Sequence, residues 1–308
     1  MAYRIAINGF GRIGRSILRA LYESTDYPSL QIVAINDLAN IETLAHLTRY
    51  DSTHGRFLGT VDVEKASGDL LVSGDRIAVS QISDLSALPW QGLAVDLVME
   101  CSGAFTDRAQ AECHLQAGAR RVLFSQPAES DVDATLVYGI NHELLPAAAS
   151  IVSNASCTTN CIVPVLKALD QSFGVLSGVI TTIHSAMNDQ PVIDAYHHAD
   201  LRRTRSAFQS MIPVSTGLAR GIERLLPELS GRIQAKAIRV PTVNVSALDI
   251  TLQTARDTTG EEINRLLRAA AQADPPLPVA TSCPVERARW TCVRPGRHTL
   301  RLWSARWN

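Results

Sequence analysis

Residues 3–14 read YRIAINGFGRIG and begin a strand–turn–helix pattern. The short run Tyr3–Asn8 is apolar and partly β-branched, which predicts a buried strand. Arg12–Glu23 carries apolar residues at helical spacing, which predicts an amphipathic helix. A second apolar run, Leu30–Asn36, follows shortly after the predicted helix. A strand, a glycine-rich turn, a helix and a second strand within about 35 residues predict a βαβ unit.

The turn of this unit contains the spacing G-x-G-x-x-G between the predicted strand and helix. In that setting Gly9 permits a tight turn, Gly11 leaves room for a pyrophosphate, and Gly14 lets the helix pack close to the strand. The helix N-terminus then favours the phosphate charges. Asp37 follows the second strand, where a carboxylate accepts hydrogen bonds from ribose hydroxyls and repels a 2′-phosphate. The pattern predicts NAD rather than NADP; a turn without a ligand and a solvated Asp37 are the alternatives.

Alternating strands and helices continue to about residue 155. They predict an α/β fold with a Rossmann-type doubly wound parallel sheet, as the NAD-binding domain over 1–155. After that point longer strands mix with helices, which predicts an α+β catalytic domain over 156–272. The later elements predicted in the first domain are strands at Ile77–Ser80, Leu93–Glu100 and Arg121–Ser125 and a helix at Asp107–Ala117.

The composition is that of an ordinary globular chain. The 308 residues are 46% apolar and 19% charged, with a formal net charge of −1. This apolar fraction excludes a disordered protein, and the balanced charge argues against nucleic acid or an anionic membrane as partner. No apolar run of about 18 residues occurs, and the N-terminus lacks the pattern of a secretory signal. The six cysteines form no disulfide or zinc pattern, which favours free thiols in the cytoplasm and no metal site.

Residues 153–161 read SNASCTTNC and place Cys157 among small polar residues just before a predicted apolar helix. A thiol at a helix N-terminus is expected to have a lowered pKa, because the helix dipole favours the thiolate. Ser156 and Thr158 flank it with hydroxyl groups suited to an oxyanion. Cys157 is therefore a candidate nucleophile, with an unreactive buried cysteine as the alternative. Cys161, one helical turn later, is expected to pack inward.

His184 stands at the end of an apolar strand predicted over Val175–His184, where a polar segment begins. A histidine in this position could serve as the base that takes the thiol proton of Cys157, and then as acid or base for the carbonyl oxygen. An activated thiol with NAD indicates one chemistry: the thiolate adds to an aldehyde, hydride leaves to NAD, and a thioester remains. The alternative is a hydrogen-bonded polar residue at a strand end.

Residues suited to a phosphate group follow in three places. Thr216 and Gly217 come directly before a predicted helix, and Arg239 ends a predicted strand. Arginine side chains and a Thr-Gly helix start suit a phosphate monoester, whereas solvated surface arginines are the alternative. The remaining candidates lie in the basic cluster DLRRTR at 200–205 and are Arg202, Arg203 and Arg205.

Together these motifs resemble the glyceraldehyde-3-phosphate dehydrogenase family. The similar segments are NGFGRIGR at 8–15, SNASCTTNC at 153–161 and RVPTVNVSALD at 239–249, and the similarity runs from residue 3 to about 272. The resemblance implies Cys157 as nucleophile and His184 as its activator. The NAD contacts that it implies are Gly9, Gly11, Arg12, Ile13, Gly14, Asp37 and Ser125. The substrate contacts that it implies are Ser156, Thr158, Arg203, Thr216, Gly217 and Arg239.

Within this family, three stretches are more similar to the erythrose-4-phosphate dehydrogenase branch: residues 1–24, 122–141 and 181–205. That branch implies oxidation of D-erythrose 4-phosphate to 4-phospho-D-erythronate in pyridoxal 5′-phosphate biosynthesis, with water releasing the acyl group, by a homotetramer. Met187 stands where glyceraldehyde-phosphate enzymes usually carry a phosphate-contacting threonine, whereas Gly217 matches those enzymes. The alternatives are a phosphorylating glyceraldehyde-3-phosphate dehydrogenase and a non-catalytic NAD-binding protein.

The segment 273–308 has a different composition from the rest of the chain. It holds three of the four tryptophans and shows neither helical nor strand periodicity, so irregular structure is predicted. Family members carry further strands in this part. We interpret the segment as the product of a shifted reading frame and expect a catalytic domain incomplete at its C-terminus. On this hypothesis one edge of the second sheet is left unpaired.

Overall fold

The computed structural model describes residues 2–24, 26–197 and 200–272, together with the backbone of 289–294 and 297–303. The rest of segment 273–308 lies outside the described residues. No described helix combines the length and the apolar character needed to cross a membrane. The chain divides into two compact units, one formed by 1–136 with 145–155 and the other by 137–144 with 156–308.

The first unit alternates strands and helices along the chain. Its helices are α1 (Arg12–Glu23), α2 (Ile41–Arg49) and α3 (Arg108–Gln116). Its strands are β1 (Tyr3–Asn8), β2 (Leu30–Asn36), β3 (Tyr50–Asp51), β4 (Gly55–Arg56), β5 (Val61–Glu64), β6 (Asp69–Val72), β7 (Asp75–Ser80), β8 (Leu97–Glu100), β9 (Arg121–Phe124), β10 (Ala134–Thr135) and β11 (Ile151–Ser153).

The main sheet of this unit has the strand order β10-β11-β9-β8-β1-β2-β7-β6-β5. The first seven strands in this order, from β10 through β7, are parallel to their neighbours. Strands β6 and β5 continue the sheet as an antiparallel edge. The predicted Rossmann-type parallel sheet is confirmed. The chain builds outward from β1 in one direction through β2 and in the other through β8. Such a reversal marks the crevice where this sheet type binds its ligand, at the carboxyl ends of the strands.

The buried core explains why α1 lies on this sheet. Ile7 of β1, Leu18 of α1 and Ile35 of β2 are fully buried in one cluster. Each such side chain contributes about 1.5–3 kcal/mol by leaving water. The apolar side of α1 packs on β1 and β2. This packing holds α1 against the sheet and so fixes the position of the glycine turn that joins β1 to α1.

The second unit is an α+β arrangement, as predicted. Its helices are α4 (Cys157–Phe173), α5 (Leu218–Leu225) and α6 (Gly260–Ala271). Its strands are β12 (Val175–Ser185), β13 (Ile212–Val214), β14 (Ile233–Val240), β15 (Ala247–Thr254), β16 (Arg289–Arg294) and β17 (Arg297–Trp303), in the sheet order β13-β14-β12-β15-β17-β16.

Two features of this unit position the site. Strands β12 and β14 run parallel in a register that sets His184 directly beside Arg239. Helix α5 packs closely on the first turn of α4, since a Cβ at Gly221 would come within 2.9 Å of Thr159 Oγ1. The first turn of α4 therefore lies against α5.

The expectation of irregular structure in 273–308 is wrong for the described part of that segment. Residues 289–294 and 297–303 form β16 and β17, and β17 pairs antiparallel with β15 along its length. Strand β15 therefore has a paired neighbour on both sides, β12 and β17. These strands join the sheet by antiparallel backbone pairing with a segment distant in the sequence, which local periodicity does not reveal.

Candidate active site

The glycine turn of the first unit has the geometry that its sequence predicts. Gly9 has φ +88°, and a Cβ there would lie 2.4 Å from the Cα of Ser102, which follows β8. A Cβ at Gly14 would lie 2.4 Å from the carbonyl oxygen of Gly9. Both positions therefore require glycine for the fold itself, one for the turn and one for the close approach of helix and strand.

Gly11 is different, because a Cβ there would meet nothing within 4 Å. It is the N-cap of α1, no side chain caps this helix, and the first turn contains no acidic residue. A helix N-terminus without a side-chain cap or nearby carboxylate attracts an anion through its N–H groups and its dipole. Open space at Gly11 and this helix end together fit the pyrophosphate of a dinucleotide.

Asp37 is held against the turn by two backbone hydrogen bonds. Phe10 N–H donates to its Oδ2 at 2.7 Å, and Ala39 N–H donates to its Oδ1 at 2.9 Å. Each carboxylate oxygen keeps acceptor capacity beyond one hydrogen bond. Asp37 is half-buried, so a ribose hydroxyl could still reach it. The ribose contact remains a prediction.

The other predicted NAD contacts lie at the same edge of the first unit. Arg12 and Ile13 form the first turn of α1, and the Ile13 side chain is 49% exposed. Ser125 follows β9, where its N–H donates to the carbonyl oxygen of Glu100 at 3.0 Å. Its neighbour Cys101 is unreactive in this setting, because burial raises the pKa of that thiol to about 12.

A buried polar network, not found from the sequence, supports this edge. Asn8 Nδ2 donates to Glu100 Oε2 at 2.6 Å, and Ser102 N–H donates to Glu100 Oε1 at 2.8 Å. Trp90 Nε1 donates to His114 Nδ1 at 3.0 Å, which leaves His114 Nε2 to donate to Glu100 Oε2 at 3.1 Å. Glu100 and His114 are almost completely buried. The network ties Ser102, the residue facing Gly9, to the sheet interior.

Cys157 is the first residue of α4. Ser156 is the N-cap, and its Oγ accepts from Thr159 N–H at 3.0 Å and lies 3.0 Å from Thr158 Oγ1. The hydroxyls of Ser156 and Thr158 therefore lie together at the start of α4. Ser156 has a structural role as well, because a serine N-cap contributes about 1 kcal/mol to a helix. Whether the two hydroxyls bind substrate remains a prediction.

The structure brings Cys157 and His184 together within the second unit. Cys157 Sγ lies 3.7 Å from His184 Nε2. The thiol is reachable from solvent, yet surrounding protein atoms crowd it, and this burial raises its pKa above the ordinary value. The Thr158 N–H and the charge of Arg239 act in the opposite direction with smaller effect. The helix start lowers the pKa as expected, but burial outweighs it, so the expected net lowering is wrong and Cys157 needs a base to ionise.

His184 is suited to be that base. Burial lowers the pKa of its ring below the ordinary histidine value, so the imidazole is neutral near pH 7. Its Nδ1 lies 2.8 Å from the carbonyl oxygen of Ser185. If Nδ1–H donates to that carbonyl, Nε2 presents its lone pair to the Cys157 thiol.

A charged cluster surrounds this pair. Arg239, almost completely buried, has Nη1 2.9 Å from His184 Nδ1. Asp189 Oδ2 accepts from Arg203 Nη1 at 2.9 Å and lies 3.9 Å from Arg239 Nη2. Asp189 was not identified from the sequence. A carboxylate five residues after a candidate base was the available signal.

The remaining phosphate candidates divide between the site and its surroundings. Arg203 is joined to the His184 cluster through Asp189, whereas Arg202 pairs with Asp200 and Arg205 with Asp194. Thr216 Oγ1 accepts from Leu218 N–H at 3.2 Å, and Gly217 is the N-cap of α5 without a side-chain cap. The structure thus favours Arg203 among the three arginines of 200–205.

Comparison with known families agrees with both units. Residues 3–108 match the model of the glyceraldehyde 3-phosphate dehydrogenase NAD binding domain, and residues 156–281 match the model of the C-terminal domain of the same family. The second match continues nine residues past Gln272, about where the similarity was expected to end. The two models together cover most of the chain. The chain therefore belongs to the glyceraldehyde-3-phosphate dehydrogenase family and is an NAD-dependent oxidoreductase.

Proposed function

We propose that this protein oxidises a small phosphorylated aldehyde through a thioester on Cys157, with D-erythrose 4-phosphate as substrate and 4-phospho-D-erythronate as product. The observation that carries the proposal is the 3.7 Å approach of Cys157 Sγ to His184 Nε2, beside an arginine cluster. A nucleophile, a base and cations for a phosphate group are the parts that this chemistry needs.

The proposed first step ionises the thiol. His184 Nε2 takes the Sγ proton, and the thiolate adds to the aldehyde carbon to form a C–S bond. The developing oxyanion takes a proton from His184, and the product is a thiohemiacetal on Cys157. The start of α4 and its hydroxyl groups stabilise the negative charge as it develops.

Oxidation follows at the same carbon. His184 takes back the hydroxyl proton while hydride leaves the carbon with both electrons of the C–H bond, and a thioester remains on Cys157. Bound NAD supplies the hydride acceptor. Its pyrophosphate would be held at Gly11 and the start of α1, and its ribose at Asp37. Water then adds to the thioester, the C–S bond breaks, and the carboxylic acid leaves.

Sequence similarity to the erythrose-4-phosphate branch supports the choice of substrate. Met187 is 45% exposed beside the site and offers no hydroxyl to a substrate phosphate. We propose a role in pyridoxal 5′-phosphate biosynthesis, a cytoplasmic location and a homotetramer on the same similarity. Glyceraldehyde 3-phosphate is the second candidate, favoured by Gly217 at the start of α5.

An assay of NADH formation on each aldehyde phosphate, with and without inorganic phosphate, tests the proposal. We expect the higher kcat/KM on D-erythrose 4-phosphate and no requirement for inorganic phosphate. Fast turnover only on glyceraldehyde 3-phosphate, with a requirement for inorganic phosphate, would overturn the substrate assignment. NAD binding without turnover of either aldehyde would show a non-catalytic NAD-binding protein instead.

A further inference from the structure

An internal carboxylate lies between the two arginines that are candidates for phosphate binding. Asp189 Oδ2 is 2.9 Å from Arg203 Nη1 and 3.9 Å from Arg239 Nη2. The side chains of Arg239, Arg203 and Asp189 are 11%, 24% and 32% exposed, respectively. Charges this sheltered interact more strongly than charges in open water, so the carboxylate is a substantial part of the local field.

The electrostatic balance of the cluster follows from its members. The guanidinium groups of Arg203 and Arg239 face the carboxylate of Asp189. A second carboxylate, that of Asp200, lies 3.8 Å from Arg203 Nε. The neighbouring groups His184 and Cys157 are neutral in the resting site, since burial lowers the pKa of the histidine and raises that of the thiol. The arginine pair is therefore partly neutralised before any ligand arrives.

A phosphate group needs the same donors that Asp189 uses. Arginine holds phosphate with two parallel N–H···O bonds from its planar fork. At Arg203 one of these donors already points at the carboxylate. A phosphate dianion there must displace Asp189 or accept a negative neighbour at close range, and like charges at that distance are costly.

We propose that Asp189 is a specificity-determining residue that fills the anion position between Arg203 and Arg239 and weakens the binding of phosphate groups there. The inference rests on the proposed function for its catalytic meaning. The thioester on Cys157 has two routes of release. Attack by inorganic phosphate gives an acyl phosphate and the free thiolate, whereas attack by water gives the carboxylate. By disfavouring phosphate at the arginine pair, Asp189 favours the route through water.

The structure offers a conservative substitution for the test. Asp189 Oδ1 is buried and has no partner among the described residues, so the amide of Asp189→Asn takes the same place without losing a hydrogen bond there. Asp189→Glu keeps the charge. Asp194→Asn is a matched control, because it removes an equal charge nearby from a pair with Arg205.

Calorimetric titration of inorganic phosphate into the full-length protein, without substrate, measures the effect directly. We expect Asp189→Asn to bind phosphate at least about tenfold more tightly than the wild type, from the loss of one nearby negative charge. Asp189→Glu and Asp194→Asn should stay within about twofold of the wild type. A phosphate affinity of Asp189→Asn that equals that of the wild type would overturn the proposal, whether or not the protein is active on any aldehyde.

Turnover then separates the two sources of phosphate. If Asp189→Asn lowers KM for the aldehyde phosphate in the absence of inorganic phosphate, the arginine pair receives the phosphoester of the substrate. If KM is unchanged but added phosphate accelerates NADH formation and yields acyl phosphate, identified by its ³¹P NMR signal, the pair receives inorganic phosphate. When the titration shows tighter binding, both results support the weakening of phosphate binding by Asp189. Only the second result supports its preference for release by water, and the first result overturns that preference. Inactivity of the wild type on every aldehyde would refute only the proposed function.

Discussion

Arg239 Nη1 lies 2.9 Å from His184 Nδ1, on the side of the ring opposite the nitrogen that faces Cys157. The same Nδ1 is 2.8 Å from the carbonyl oxygen of Ser185. One nitrogen cannot donate to the carbonyl and accept from the guanidinium at once. When Nδ1–H donates to Ser185, Nε2 is free to act as base. When Nδ1 instead accepts from Arg239, the proton is on Nε2, which then cannot take the thiol proton.

Replacing Arg239 should make Cys157 harder to ionise. The charge of Arg239 lowers the pKa of that thiol, so Arg239→Gln raises it. We expect the pH midpoint of Cys157 alkylation by iodoacetamide to move upward by about one pH unit, the usual size for a close charge. The rate measured on Cys157→Ser is subtracted as background from the other cysteines. A midpoint that stays in place or moves downward would contradict the role of Arg239.

Asp189→Asn should lower the pKa of the base, His184. The charge of Asp189 raises the pKa of His184, whereas burial, the dominant cause, lowers it. Without the carboxylate the pKa of His184 falls further. Activity needs the neutral imidazole and is lost as the pH falls through this pKa, so the acid limb of the kcat profile should move to lower pH. Asp194→Asn, which lies outside the cluster, should leave the limb in place.

Substitutions at Gly11 and Gly14 should separate binding from folding. The space at Gly11 is open and its φ is −70°, so Gly11→Val is compatible with the fold but places a side chain where the pyrophosphate is expected. We expect Gly11→Val to weaken NAD binding by more than about tenfold, with a urea midpoint close to that of the wild type. Calorimetric titration of NAD and urea unfolding measure the two quantities.

Gly14→Val should lower the stability of the fold. Its Cβ would lie 2.4 Å from the carbonyl oxygen of Gly9, which is backbone and cannot move aside cheaply. The expected result is a loss of about 1–3 kcal/mol in stability, as for other overpacked positions. Equal stability of Gly14→Val and the wild type would show that the helix does not need this close approach.

The buried network at Glu100 should be essential for stability. His114→Leu removes the partner of both the Glu100 carboxylate and the Trp90 indole N–H, and leaves two polar groups buried without it. A buried polar group left without its hydrogen-bond partner costs about 1–3 kcal/mol. Urea unfolding checks this, with His46→Leu at an exposed position as the control. A variant His114→Leu as stable as that control would exclude the network as a stabilising element.

The elements with local signals could be predicted from the sequence. The bounds of α1, Arg12–Glu23, match the predicted ones, because apolar spacing and the glycine turn define both ends. Cys157 and His184 were also identified, since each stands where a regular element begins or ends. Such positions are visible in the sequence itself.

Asp189 and the Glu100 network could not be predicted in the same way. Asp189 lies in a segment without periodicity, and its partners come from two other parts of the second unit. Glu100, His114 and Trp90 meet only after the first sheet has formed. The pairing of β17 with β15 was missed because backbone hydrogen bonds join segments that are distant in the sequence, which local periodicity does not reveal.

Formation of NADH in a single turnover tests the central claim most directly. With enzyme and NAD in excess over D-erythrose 4-phosphate, only acylation of Cys157 is needed for NADH to appear. We expect the wild type and Cys113→Ser to form about one NADH per aldehyde. Cys157→Ser should bind NAD normally and form NADH at least about 10³-fold more slowly. NADH formation by Cys157→Ser at the wild-type rate would contradict the account.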